Sequence, residues 1–242
     1  MIKIENFEVL GWEHAIRGMR NPMNSWEKSD SVFIDEDGDW YTITGDPGPF
    51  KNVDEFSTDG QQVYIGPNDL DLMKHLCNAG TDHRKFMRMI TVYLDITAPL
   101  YFWKEFDTYK VGTVANSCST MHKIASKEFT LDDFSHEQLF HNVNDTEMWL
   151  DIDFLNVLDN TIFYLNKARE LYLKTHDKKY WWQMIQLLPS SYNQKRTVML
   201  NYEVLANIYP MRKNHKLDEW RDFCKWIETL PYSELITGEE YE

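Results

Sequence analysis

The sequence predicts an α+β chain in which helix predominates and a minority of strands gathers in the first hundred residues. Three observations predict it. Beyond residue 146 the apolar residues recur at spacings of three and four, the period of a helix face. Before residue 100, short runs alternate or are dense in β-branched and aromatic side chains. A hydrophobic content of 43% with 14% aromatic residues, spread over 242 positions, suffices for a sizeable core. The expected organisation is one domain over residues 1–242, with no internal repeat and no low-complexity segment.

Residues 2–10 alternate as a strand, with Ile2, Ile4 and Phe7 apolar, and Trp12–Met19 follows as a short helix. Residues 20–31 are polar and broken by Asn21, Pro22 and Asn24. Two β-rich arms, Val32–Ile34 and Trp40–Ile43, flank Asp37-Gly38, so residues 31–44 read as a hairpin insertion. Its acidic cluster, Asp35, Glu36, Asp37 and Asp39, is no calcium loop. The glycine stands at the wrong place and no closing carboxylate follows. Gly45–Gly66 is loop, with a short strand at Val63–Ile65. Asn68 is the expected cap of a helix carrying Asp69 and Asp71 in its first turn, and Gly80 stops it. Leu72, Met73, Leu76 and Cys77 share one face of that helix.

Phe86–Ile96 reads as a strand, and Thr97-Ala98-Pro99 as the start of a helix with Tyr101, Phe102, Trp103 and Phe106. Thr130-Leu131-Asp132-Asp133 is another helix start. The longest helix signal is Thr146–His176, built on Trp149, Ile152, Leu155, Leu158, Ile162, Leu165 and Ala168. Helices are expected over Lys178–Leu188, stopped by Pro189, and over Thr197–Tyr209 and Leu217–Leu230. The acidic tail 231–242 is expected to fray.

The formal net charge of −14 disfavours free nucleic acid and anionic membranes as partners, since the long-range field repels both. No apolar run approaches a membrane span, and MIKIENFEVLGWEHAIRG does not read as a signal peptide. Cys77, Cys118 and Cys224 are odd in number and far apart. They suit neither a disulfide framework nor a zinc site, so reduced thiols and a cytoplasmic setting are expected, with no metal. His136 and His141 lack the spacing of a helical zinc pair and read as polar surface. Neither GxGxxG nor GxxxxGK occurs, which disfavours a Rossmann site and a P-loop. Tyr180-Trp181-Trp182 reads as core or subunit interface.

The stretch with chemical promise is Phe102–Lys123, FWKEFDTYKVGTVANSCSTMHK. It opens as an aromatic helix and passes into small hydroxyl and amide residues, Thr113, Asn116, Ser117, Ser119 and Thr120. Such residues build no core, but they offer donors and acceptors that lose little entropy when fixed. A polar surface loop and a polar ligand site both fit this composition. Cys118 reads as a small buried residue rather than as half of a Cys118–His122 nucleophile pair.

This stretch resembles the RHRxxSxNExSxRY signature of the flavin-dependent thymidylate synthases, with the aromatic helix before it. Tyr109-Lys110-Val111-Gly112-Thr113 falls on His-Arg-x-x-Ser. Asn116 to His122 falls on Asn-Glu-x-Ser-x-Arg-Tyr, with one extra residue near Ala115. The C-terminal third is similar in layout: Leu188-Pro189, Thr197, Asn201, Arg212 and a final helix with Trp220 follow the family's order. The turn at Gly80 with His83 beyond it resembles the family's Gly-His turn. The resemblance covers residues 68–230 or so, in order and spacing more than in identity.

The resemblance implies a helix-rich fold with a small antiparallel sheet and a homotetramer or dimer. It implies FAD at subunit interfaces, and reductive methylation of dUMP from methylenetetrahydrofolate and NADPH. It implies that Tyr109, Lys110, Thr113 and Asn201 face the cofactor, and that Asn116, Ser117, Ser119 and Arg212 hold the nucleotide. Ser119 would also take the catalytic position. Several positions depart from the signature. Its Glu is Ser117, its last Arg is Met121, its first Arg is Thr108 and its His is Tyr109; Lys110 keeps a positive charge. The family's Asn-x-Arg helix falls on Met199 and Asn201 if counted from Thr197, or on Asn201 and Glu203 if counted back from Arg212. Its Arg is absent either way. Each lost Arg removes charge-assisted bonds worth roughly 1.5–3 kcal/mol. Lys123, Lys195, Arg196, Arg212 and Lys213 are the cations that could replace them. Three readings therefore stand: a divergent enzyme of this kind, a nucleotide- or protein-binding module on the same scaffold that has lost the activity, or a structural oligomer with no small-molecule site that shares only the fold.

Overall fold

The computed structural model describes residues 2–35, 37–48, 63–140, 143–145 and 150–238. The fold is α+β and rich in helix. Strands β1 (Lys3–Leu10), β5 (Thr91–Pro99), β9 (Asn193–Asn201) and β6 (Val114–Ser117) form a four-stranded sheet in that order. A three-stranded antiparallel sheet orders β3 (Trp40–Thr42), β2 (Val32–Ile34) and β4 (Val63–Tyr64). Strands β7 (Val143–Asp145) and β8 (Leu150–Ile152) pair antiparallel. The helices are α1 (Trp12–Arg20), α2 (Pro67–Asn78), α3 (Leu100–Phe106), α4 (Thr120–Lys123), α5 (Phe154–Thr175), α6 (Lys178–Leu187), α7 (Tyr202–Arg212), α8 (Asp218–Glu228) and α9 (Glu234–Thr237). Among the described residues no helix is long and apolar enough to cross a membrane.

The chain forms two compact units. The first comprises the chain start to Lys3, Ile96–Thr108 and Asn116–Arg196. Its apolar centre is Ile124, Phe129, Phe134, Leu158, Leu165, Ala168 and Met184. Helices α5 and α6 pack together as a helical hairpin. His176 ends α5 in the left-handed region, at φ 53°, and the Asp177 carboxylate accepts from Lys179 N to start α6. Helix α3 is pinned by its buried Trp103, whose Nε1 donates to Ala98 O at 3.0 Å and Gln194 O at 2.9 Å.

The second unit comprises Ile4–Asp95, Tyr109–Ala115 and Thr197–Glu242. Trp12 is fully buried and meets Tyr202 and Tyr232 edge-on, at 5.3 and 5.2 Å between centroids. Gly11 precedes it at φ 93°. A Cβ there would stand 2.2 Å from Met89 O, so only glycine fits. The buried Asp69 carboxylate accepts from Arg20 Nε at 2.6 Å, from the Ser29 and Ser31 hydroxyls at 2.5 and 2.6 Å, and from Ser31 N at 3.2 Å. A buried ion pair is tolerable only with its remaining lone pairs satisfied in this way.

The hairpin forms in the expected register, Val32 opposite Thr42 and Ile34 opposite Trp40. Asp35 Oδ1 accepts from the amides of Asp37 and Asp39, so this carboxylate shapes the turn. Glu36 lies outside the described residues. Among those described, no group of three or more His, Cys, Asp or Glu is placed to hold a metal.

Several expected boundaries are corrected. Helix α2 is capped by Gly66 with Pro67 at its first position, not by Asn68. Phe86 and Met87 are buried in a single 3-10 turn, Lys85–Arg88. The strand starts at Thr91, where alternate burial begins, and runs through Thr97-Ala98-Pro99. Thr197–Asn201 is strand rather than helix, because Val198 and Leu200 are buried on alternate positions. Asn201 then caps α7 through Oδ1, which accepts from Val204 N at 3.0 Å. Helix α5 starts only at Phe154, where Asp153 caps it; Leu150–Ile152 is strand, and Thr146–Trp149 lie outside the described residues. The expected fraying tail instead holds α9, with Leu235 and Ile236 buried, while 239–242 lie outside the described residues.

Candidate functional site

Residues 102–123 are not one polar loop. Helix α3 ends at Phe106, strand β6 occupies Val114–Ser117, and Ser119 starts the short α4. The two units take different parts of this stretch, and each builds its own polar surroundings.

In the first unit, Asn116 and Ser117 are exposed on β6. Cys118 is exposed as well, against the expectation of burial, because it follows β6, an edge strand whose residues are all exposed; its amide donates to Lys195 O at 2.9 Å. Ser119 Oγ accepts from His122 N at 3.1 Å, so its hydroxyl caps α4. Gln194 Nε2 donates to Cys118 O and to Thr120 Oγ1, each at 3.1 Å. These contacts wall a cavity of about 110 Å³, lined by Ser119, Thr120, Lys123, Ser126, Lys127 and Lys195 among others. Lys127 pairs with Asp133, and this hydrogen bond holds its ammonium above the usual lysine range. At the same wall, burial raises the Tyr192 phenol. Arg196 is engaged elsewhere. Its Nη1 donates to Asp107 at 2.7 Å and its Nε to Gln194 Oε1 at 3.0 Å, with the guanidinium 4.2 Å from the Trp103 centroid.

In the second unit, Tyr109 OH accepts from Arg212 Nε at 2.9 Å. The Arg212 guanidinium lies 4.5 Å from the Trp220 centroid and 5.6 Å from that of Tyr109. Lys213 sits 5.4 Å from the Tyr209 ring. Lys110 is exposed. Gly112 has φ 79°, and a Cβ there would press on Val204 Cγ2 at 3.0 Å and Asn201 Nδ2 at 3.1 Å. The backbone of 109–113 thus lies directly against the start of α7. The Thr113 hydroxyl is buried and has no hydrogen-bond partner among the described residues. Met199 lies in β9 while Asn201 opens α7, so the helix that begins with Asn carries Glu203 at its third residue.

Of the five replacement cations, Lys123 and Lys195 line the cavity beside Ser119, while Arg196 and Arg212 bind side chains of their own unit. Ser126, Lys127 and Gln194 also line this cavity, and the sequence does not single them out. Gln194 is 74 positions from Thr120, and no local pattern signals that contact.

No family model matches this sequence, nor does any curated protein sequence. Its structure is similar to solved ones along its whole length. Against thymidylate synthase X from Helicobacter pylori with FAD and dUMP, the TM-score is 0.62 at 15% identity, covering 99% of this chain and 98% of that one. A UMP/dUMP methylase, PolB, from Streptomyces cacaoi bound with 5-Br UMP gives 0.55 at 12% identity, covering 98% and 94%. The chain has the fold of the flavin-dependent thymidylate synthases.

Proposed function

We propose that this chain binds a uracil nucleoside monophosphate and a flavin, and transfers a one-carbon unit reductively to the base. The observation that carries the reading is the cationic cavity at Ser119. In a chain of net charge −14, Lys123, Lys195 and the Asp133-paired Lys127 meet three hydroxyl residues around a space large enough for one phosphate. Lys123 and Lys195 would neutralise the dianion in place of the missing arginines, and Thr120, whose Oγ1 accepts from Gln194, would donate a hydrogen bond. Ser119 would accept from its α4 amide and donate to the ligand with the same hydroxyl. Exposed Asn116 and Ser117 would contact the sugar or base.

The residues of the second unit fit a flavin. Thr113 has a buried donor without a partner, Gly112 keeps side-chain bulk away, and Lys110 offers an exposed cation. Asn201 Nδ2 would add a donor while its Oδ1 caps α7. Tyr109 and Arg212 would act as a joined pair rather than as separate ligands. A bound flavin supplies the reducing equivalents that convert a transferred methylene to a methyl group, with NADPH and methylenetetrahydrofolate as co-substrates. Exposed Phe163, Tyr164 and Trp182 support self-association of copies.

A second reading, a nucleotide-binding module without turnover, is favoured by the engagement of Arg196 and Arg212 in internal contacts. Purified protein separates the two. The enzyme reading expects a flavin absorbance band, thermal stabilisation by dUMP or UMP, and dUMP- or UMP-dependent consumption of methylenetetrahydrofolate. Nucleotide stabilisation without turnover selects the module. No flavin band and no response to either nucleotide refutes both.

A further inference from the structure

Glu203 is a carboxylate in the first turn of α7, and it is 7% exposed. A buried carboxylate persists only beside a partner. Its partner comes from the turn after α2: Arg84 Nε lies 2.8 Å from Oε2, and Nη2 lies 3.3 Å from Oε1 and 3.0 Å from Asn207 Oδ1. The 2.8 Å contact is an ion pair out of line for a hydrogen bond, so Nε and Oε2 both stay buried without one. Glu203 and Asn207 are four apart, on one face of α7. Arg84 thus lays its guanidinium along that face, at the helix where the sequence resemblance expects an arginine and finds Glu203.

Arg84 also lines a cavity of about 450 Å³ within the second unit, together with Lys74, Asn78, Ala206, Pro210 and Glu234. The volume is that of a small-molecule site. Two cations face it, and Glu234 lies 4.0 Å from Lys74. Among the described residues Arg84 Nη1 has no partner, which leaves donors for an incoming oxyanion. Cys77, on the same wall, is no nucleophile, since burial pushes its thiol up to about 12.

We propose that this cavity is a second anion site, which takes the phosphate of a nucleoside- or flavin-sized ester, with Arg84 as its binding residue and Glu203 and Asn207 as the residues that position it. The site rests on the reading above that the chain binds phosphorylated ligands. The flavin and the nucleotide are two sources of the same chemistry, and the test distinguishes them.

Riboflavin, FMN, FAD and dUMP are titrated against the full chain, wild type and Arg84→Lys, by flavin fluorescence and by thermal shift. Because Arg84→Ala strands a buried carboxylate, the truncation is made together with Glu203→Gln. A tenfold or greater loss of FMN and FAD affinity, with riboflavin unchanged, assigns the cavity to the flavin phosphate. The same loss confined to dUMP assigns it to the nucleotide. Wild-type binding that neither variant weakens overturns the Arg84 site and leaves the proposed function intact. Wild-type protein that binds none of the four but is stabilised by inorganic pyrophosphate, dependent on Arg84, keeps the site and removes the proposed function. No response to any of the five overturns both.

Discussion

The two units treat their shares of one polar stretch in opposite ways. In the first, Ser119, Thr120 and Lys123 stand around open space, and the lysines that join them come from the turn after α4 and from β9. In the second, Tyr109 is tied to Arg212, Arg212 is stacked on Trp220, and Gly112 is pressed against Asn201 and Val204. A cation packed on an aromatic ring and bonded to a phenol contributes to the fold. Lys123, exposed and with no ion pair among the described residues, contributes almost nothing to stability and is available to a ligand. Residue type alone therefore does not separate binding cations from structural ones; their partners do.

The largest effect is expected from Arg212→Ala. It removes a charged hydrogen bond and a stacked guanidinium, so it should destabilise the chain by about 2 kcal/mol in urea or thermal unfolding. Lys123→Ala should change stability by less than about 0.5 kcal/mol, yet weaken dUMP binding tenfold or more. Equal stability losses in the two variants would erase the contrast between the units.

A smaller effect is expected from Tyr202→Phe. Tyr202 is buried, its hydroxyl donates to Pro231 O at 2.5 Å, and burial raises its phenol well above the ordinary value. Loss of the hydrogen bond should cost about 1 kcal/mol. The pH dependence follows from the raised value. Below the unfolded phenol range, near 10, both states keep the proton and the contribution is complete. As pH rises from there toward the folded value, only the unfolded state releases its proton, so stability falls. Tyr202→Phe should flatten that alkaline slope in unfolding curves taken above pH ~9.5. An unchanged slope would assign it to the other groups that burial raises, Tyr41, Tyr192, Tyr232, Cys77 and Cys224.

Ser119→Ala should have a small global effect, below that of Tyr202→Phe and above that of Lys123→Ala. It removes the cap of a single-turn helix, worth about 0.5–1 kcal/mol, and leaves the fold intact. Its ligand affinity should nevertheless fall with that of Lys123→Ala. Unaltered nucleotide affinity in Ser119→Ala would exclude this hydroxyl from the site.

Local chemistry was the legible part of the sequence. The hairpin at Asp37-Gly38, the alternation of residues 3–10 and the helix Lys178–Leu187 each carry their signal within a dozen residues. The order of polar residues in 102–123, with the layout of the C-terminal third, pointed to the fold at a level of identity where 15% is shared with a solved neighbour. Misread segments had two compatible periods. Thr197–Asn201 continues the apolar spacing of α7, yet alternates as a strand, and pairing within the sheet decided between them. Arg84 was invisible for a different reason. Its partner Glu203 is 119 positions away, and an acidic residue at a place where a basic one is expected looks like a loss until the fold supplies the guanidinium from elsewhere.

Thr113 carries one more consequence. A hydroxyl buried with no partner among the described residues would cost the ligand-free chain roughly 1–3 kcal/mol, and valine, of nearly the same shape, would remove that cost. A sequence selected only for thermal endurance would discard such a group. If Thr113 faces the ligand as proposed, the partner it gains on binding would return that stability to the complex.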